Sequence, residues 1–110
     1  MWYLEKKIVV SSAHHLKDYD GPCAKPHGHN WNIIVRCKSQ VLDKIGMVVD
    51  FRLIKEALKK FDHANLNELM PENPTAENIA KHICDFIPRC YEVEVEETEG
   101  SVIRYVKAEN

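Results

Sequence analysis

The chain has 110 residues, 45% apolar and 29% charged, with fifteen Lys and Arg against seventeen Asp and Glu for a net charge of −2. That length suits one domain spanning residues 1–110, and the apolar share is enough for a core, which excludes a disordered or collagen-like chain. The faint acidic excess argues against a general nucleic-acid binder, and no stretch approaches the ~18 uninterrupted apolar residues of a membrane helix.

Residues 2–14 read as a strand, because Ile8, Val9 and Val10 are β-branched and no Gly or Pro interrupts the run. Residues 17–26, rich in Asp, Gly and Pro, read as a loop. Residues 27–38 alternate with a period of two. His27, His29, Trp31, Ile33, Val35 and Cys37 share one mostly apolar face of a second strand. Residues 51–61 form an amphipathic helix capped by Asp50, with Phe51, Ile54, Leu58 and Phe61 as the expected buried stripe. A second helix over residues 76–87 buries Ile79, Ala80, Ile83, Cys84 and Ile87, with Thr75 as cap and Pro88 beyond its end. Residues 91–98 and 102–106 are two further strands joined by a turn at Glu99-Gly100. The expected order is ββααββ, an α+β domain.

The N-terminus, Met1-Trp2-Tyr3-Leu4-Glu5-Lys6-Lys7, lacks the order of a secretory signal, so the expectation is a reducing cytoplasm with free thiols. Cys23, Cys37, Cys84 and Cys90 have no C-x-x-C spacing, which argues against a four-thiolate zinc knuckle. Four of the six histidines, His14, His15, His27 and His29, fall within sixteen residues. Residues two apart on a strand point the same way, so His27 and His29 can reach one ion, with Gly28 between them allowing close approach. His14, at the end of the first strand, is the candidate third ligand. Three neutral nitrogens with an open fourth position is a catalytic zinc pattern; the bland alternative is a pair of ordinary surface histidines.

Cys23 lies in a polar turn near Lys25, where a lowered thiol pKa would make it a base or nucleophile; a small buried hydrophobe is the other reading. Asp62 beside His63 can orient an imidazole, yet a His at a helix C-terminus is favoured by the dipole alone. Glu97 continues the inward row of Tyr91, Val93 and Val95, where a carboxylate is costly unless it is paired or holds a ligand. If the strand ends at Val95, Glu97 is simply solvated.

Six segments in order are similar to those of the 6-pyruvoyl-tetrahydropterin synthase and 6-carboxytetrahydropterin synthase family. They are Val10-Ser-Ser-Ala-His14, Cys23 through His27-Gly-His29-Asn30-Trp31, Gly46-Met-Val-Val-Asp50-Phe51, Phe61-Asp62-His63 to Asn67, Pro74-Thr75-Ala-Glu77-Asn78, and Val95-Glu-Glu97-Thr98. The resemblance spans nearly the whole chain. It implies the tunnelling fold, a four-stranded antiparallel sheet with two helices on one face, assembled as a homohexamer of two trimers with sites between subunits. It implies zinc on His14, His27 and His29, Cys23 as base assisted by Asp62 and His63, and Glu97 on the pterin ring, not on the metal, with Thr75 nearby. His15, Lys17 and Lys25 are candidates for phosphate contacts.

The implied substrate is 7,8-dihydroneopterin triphosphate. The spacing of Cys23 and His27, with three residues between, resembles the bacterial 6-carboxytetrahydropterin synthases of queuosine biosynthesis. The 6-pyruvoyl-forming branch and a non-catalytic zinc or pterin-binding module are the alternatives.

Overall fold

The computed structural model describes residues 1–108. Two long strands, β1 (Trp2–His14) and β2 (His27–Ser39), pair antiparallel along their whole length, from Trp2 opposite Ser39 to His14 opposite His27. After helix α1 (Phe51–Lys59) come a two-residue strand β3 (Ala64–Asn65) and a short helix α2 (Leu66–Leu69). Helix α3 (Ala76–Phe86), β4 (Cys90–Thr98) and β5 (Ser101–Val106) complete the domain. The sheet order is β3-β1-β2-β4-β5, and only the β3–β1 pairing is parallel.

The ββααββ order is present, with the short elements β3 and α2 added between α1 and α3. Two and four residues are too short to show a period, so no hydrophobic pattern marks them. Their contribution is positional. β3 adds to β1 at Ser12 and Ala13, beside the histidine end of the hairpin.

One face of the sheet carries the core. Val10 from β1, Trp31, Ile33, Val35 and Cys37 from β2, and Val93 and Val95 from β4 are buried against Ile54, Leu58 and Phe61 and against Ile79, Ala80, Ile83, Cys84 and Ile87. The caps form as expected. Asp50 accepts from the Arg52 N–H and Thr75 from the Asn78 N–H, each satisfying an orphan donor of a helix N-terminus. The opposite face is polar. There Arg36 donates to Glu5 at 2.8 Å, to Glu94 at 3.5 Å and to Glu92, which ties β1, β2 and β4 together across the strands. All four cysteines are free, with Cys37, Cys84 and Cys90 buried as small hydrophobes.

Phe51 departs from the expected stripe. It is 52% exposed at the first helical position, with Lys6 Nζ 5.9 Å from its ring centroid. It lines a shallow apolar groove with Trp2, Leu42 and Met47 instead of entering the core. The buried stripe therefore starts at Ile54. Leu58→Ala should lower stability by about 2–5 kcal/mol, the cost of a core cavity, and Phe51→Ala by less than about 1 kcal/mol, as for a surface change. Urea unfolding of the two variants checks this, and equal losses would restore Phe51 to the core.

Candidate active site

The register of the β1–β2 hairpin builds the site. His14 stands directly opposite His27, and Ser12 opposite His29, so three imidazoles meet on the core-facing side beyond the apolar rows. Their ring centroids are 4.5 Å (His14–His27), 5.1 Å (His14–His29) and 4.8 Å (His27–His29) apart. Trp31, the next residue on the same face of β2, closes the inner side with its ring 4.9 Å from His14 and 5.0 Å from His29.

Hydrogen bonding fixes the tautomers of two of the rings. His14 Nδ1 lies 2.7 Å from the Pro74 carbonyl and His27 Nδ1 lies 2.8 Å from the Lys25 carbonyl. A carbonyl only accepts, so each Nδ1 carries the proton and each Nε2 presents a lone pair. The Nε2 atoms of His14, His27 and His29 are all buried without a hydrogen-bond partner. Burial lowers the pKa of His14 below the usual 6.5, with the neighbouring His27 and His29 lowering it further, while the Pro74 bond and Glu97 oppose the shift. Burial also lowers His29, against the pull of Glu97. Neutral imidazoles with convergent, unsatisfied lone pairs are what a divalent cation requires, and a backbone carbonyl on the far nitrogen is the usual orienting contact.

Glu97, at the end of β4, joins this group. Its Oε1 is 3.1 Å from His29 Nε2 and 3.5 Å from His14 Nε2, and neither approach has hydrogen-bond geometry. Ligand atoms of His14, His27, His29 and Glu97 all lie within 4.8 Å of one another. The three histidines expected as metal ligands are thus brought together, and a carboxylate expected apart from them stands among them.

The other expected site residues lie outside that cluster. Cys23 sits half-buried in a 3-10 turn over Pro22–Ala24, its carbonyl accepting from the Leu16 N–H at 2.8 Å. Asp62 is held at the edge of β1, where its Oδ1 accepts from the Ser11 N–H at 2.8 Å. His63 has a positive φ of 52°, a conformation few non-glycine residues adopt, and its N–H donates to Ser11 O at 2.6 Å. Its ring is 85% exposed and Nε2 is 3.7 Å from Asp62 Oδ2, beyond hydrogen-bond reach within the chain. Thr75 caps α3, and the carbonyl of the preceding Pro74 orients His14. His15 Nε2 lies 3.3 Å from Asn67 Nδ2, and the Lys17 N–H donates to Asn73 Oδ1. The space expected from Gly28 is not needed within this chain, since a Cβ there would make ordinary contact with Ser12 O at 3.7 Å.

The sequence matches the profile of the 6-pyruvoyl tetrahydropterin synthase family over residues 3–108. The chain belongs to that family. A 6-pyruvoyl tetrahydrobiopterin synthase of Dictyostelium discoideum is 34% identical over 93% of each chain. A 6-carboxy-5,6,7,8-tetrahydropterin synthase of Rickettsia conorii is 31% identical over 71% of this chain and 74% of its own. The Bacillus subtilis protein of that name is 29% identical over 93% of this chain and 83% of its own. The 6-pyruvoyl tetrahydropterin synthase of Caenorhabditis elegans has the same fold, with a TM-score of 0.78 at 25% identity over 97% of this chain and 96% of that one. The domain is therefore a tunnelling fold, and its histidine cluster occupies a tetrahydropterin synthase framework.

The depressed histidines give a pH dependence to the metal-free protein. Between their folded pKa values and 6.5 the unfolded chain binds more protons than the folded one, so stability falls as pH falls. Urea midpoints of metal-free protein should drop from about pH 7.5 to about pH 5.5, and His14→Gln should flatten the curve. A wild-type midpoint that rises on acidification would contradict the buried neutral histidines.

Proposed function

We propose that the protein is a zinc-dependent 6-carboxy-5,6,7,8-tetrahydropterin synthase. It converts 7,8-dihydroneopterin triphosphate and one water to 6-carboxytetrahydropterin, acetaldehyde and triphosphate, in 7-deazaguanine (queuosine) biosynthesis in the cytoplasm. The observation that carries this reading is the convergence of three unsatisfied, buried Nε2 atoms on one point. Family membership and the relatives named 6-carboxy-5,6,7,8-tetrahydropterin synthase support the pterin chemistry.

His14, His27 and His29 would hold the zinc. Bound there, zinc supplies Lewis acidity toward the side-chain hydroxyls of the substrate, which acidifies the adjacent C–H. The Cys23 thiolate takes that proton, and Asp62 with His63 moves protons to and from the side chain. Glu97 offers two carboxylate oxygens to the paired N–H donors of the pterin, a charge-assisted bidentate match, with Thr75 nearby.

A homohexamer of two trimers, with sites shared between subunits, suits two features of the single chain. β5 leaves one sheet edge unpaired, and β3 covers β1 only at Ser12 and Ala13, so both edges are open to pairing with further copies. An exposed His63 ring at such an edge suits a residue that completes a neighbour's site. Light scattering is expected to give a mass of six chains, and an active monomer would contradict the shared sites.

The second reading is 6-pyruvoyl formation, in which triphosphate is eliminated and the side chain stays intact. The Dictyostelium relative, matched over 93% of each chain, favours it. Incubation with dihydroneopterin triphosphate and mass analysis of the products separates the two, since only the 6-carboxy route releases acetaldehyde. A third reading, a module that only binds zinc or pterin, leaves Cys23 without a task. Cys23→Ala should retain zinc and pterin binding yet turn over at least ~100-fold more slowly, the loss typical of a missing general base. Near-normal turnover by that variant would remove Cys23 from the mechanism.

A further inference from the structure

The contact between Glu97 and the histidines is unusual in its chemistry. His14 Nε2 presents a lone pair, because its Nδ1 proton is held by the Pro74 carbonyl. A carboxylate oxygen also presents lone pairs. Yet Glu97 Oε1 approaches His14 Nε2 to 3.5 Å and His29 Nε2 to 3.1 Å, with no hydrogen-bond geometry in either case. At His14, whose ring proton is on Nδ1, two acceptors at that range repel unless a cation lies between them. Donor atoms about 2.0–2.1 Å from one tetrahedral ion stand about 3.3–3.4 Å apart. The two observed separations bracket that value.

Glu97 is also the member of the cluster best able to leave. His14 is 1% exposed and tied to Pro74, whereas Glu97 is 32% exposed at the end of its strand. A β-bulge between Glu96 and Thr98 interrupts the ladder to β5 at that point. Among the described residues no hydrogen bond ties the Glu97 carboxylate elsewhere. Four protein ligands make a closed site of the structural kind, while catalysis needs an open position. A mobile fourth ligand reconciles the two.

We propose that Glu97 is a displaceable ligand, closing the coordination of the metal held by His14, His27 and His29 in the resting protein and leaving it when a pterin ring arrives. This rests on the metal and pterin reading given above. The paired N–H donors of the pterin compete with the metal for the same two oxygens, so recognition of the ring vacates the fourth position. One side chain thereby couples ring recognition to readiness of the metal, and a ligand lacking those donors leaves the site closed.

Cobalt(II) in place of zinc reports this without turnover, because its visible absorption follows the number and type of its ligands. The probes are cobalt(II) and pterin bearing no side chain at C6, on the whole protein and on Glu97→Gln. Wild type and variant should differ in spectrum. Pterin should move the wild-type spectrum toward that of the variant and leave the variant's unchanged. A chelator should also remove cobalt from the variant at least ~10-fold more readily, since even partners beyond the first ligands are worth 10–100-fold in affinity. If the glutamine variant fails to fold by circular dichroism, Glu97→Asp replaces it, with shorter reach and the same charge.

Equal spectra and equal cobalt affinity in the two proteins would overturn the ligand role and leave the histidine site standing. A wild-type spectrum unmoved by pterin, whether or not fluorescence shows the ring bound, would overturn the displacement. Failure of either protein to take up cobalt would overturn the metal reading itself, and the displacement with it.

Discussion

Two backbone carbonyls, Pro74 O and Lys25 O, hold the Nδ1 protons of His14 and His27, and the chemistry of this end of the sheet depends on those bonds. With the protons placed there, the Nε2 lone pairs turn inward, toward each other and toward Glu97. Such an arrangement is costly when bare, since buried acceptors have lost water and found no donor. Its cost is the mark of a site shaped for a cation. The apolar wall formed by Trp31 and the burial of His14 and His29 favour the neutral form of those two rings, which is the form a metal binds.

The fold delivers this from two distant stretches of chain. A thirteen-residue antiparallel register places His14 against His27, so a one-residue slip would turn one imidazole to the opposite face. That register is fixed by Val10 against Trp31, at the inner wall of the site, by Ile8 against Ile33 further along the core face, and by Arg36 bridging Glu5, Glu92 and Glu94 on the opposite face. The third support is the cap of α3. Thr75 anchors the helix start, and Pro74 beside it is thereby positioned to orient His14. The contact that starts α3 thus also sets the orientation of a ring in the histidine cluster.

Much of this was legible in the sequence, for physical reasons that differ by element. Strands β2 and β4 and helices α1 and α3 carry a clear period of two or of 3.6, β1 is a β-branched run without Gly or Pro, and the structure has all five within two residues of the expected bounds. His27 and His29 were legible as a pair because a strand alternates sides. His14 was legible as a candidate third ligand from its place at the end of the first strand, but the hairpin register that sets it opposite His27 is not encoded in local pattern. Phe51 misled because a helical stripe says which side faces inward, not where the sheet beneath it ends. β3 and α2 are too short to carry a period. The carbonyls of Pro74 and Lys25 were invisible, since every residue has one and only the fold chooses which meets a ring. Glu97 was legible as an inward carboxylate in need of a partner, but its approach to His14 and His29 depends on where β4 lies beside β2. Cys23, Asp62 and His63 stand outside the histidine cluster in the single chain, so the joint role proposed for them rests on the proposed assembly, which local sequence does not encode.

The central claim is that the lone pairs of His14, His27 and His29 converge on one metal ion. X-ray absorption at the zinc edge of the purified protein tests it most directly. The account predicts about one zinc per chain with three imidazole nitrogens and one oxygen at about 2.0–2.2 Å. A sulfur scatterer at about 2.3 Å would move Cys23 into the coordination sphere, and a shell with fewer than three imidazoles would contradict the convergence on which the site is built.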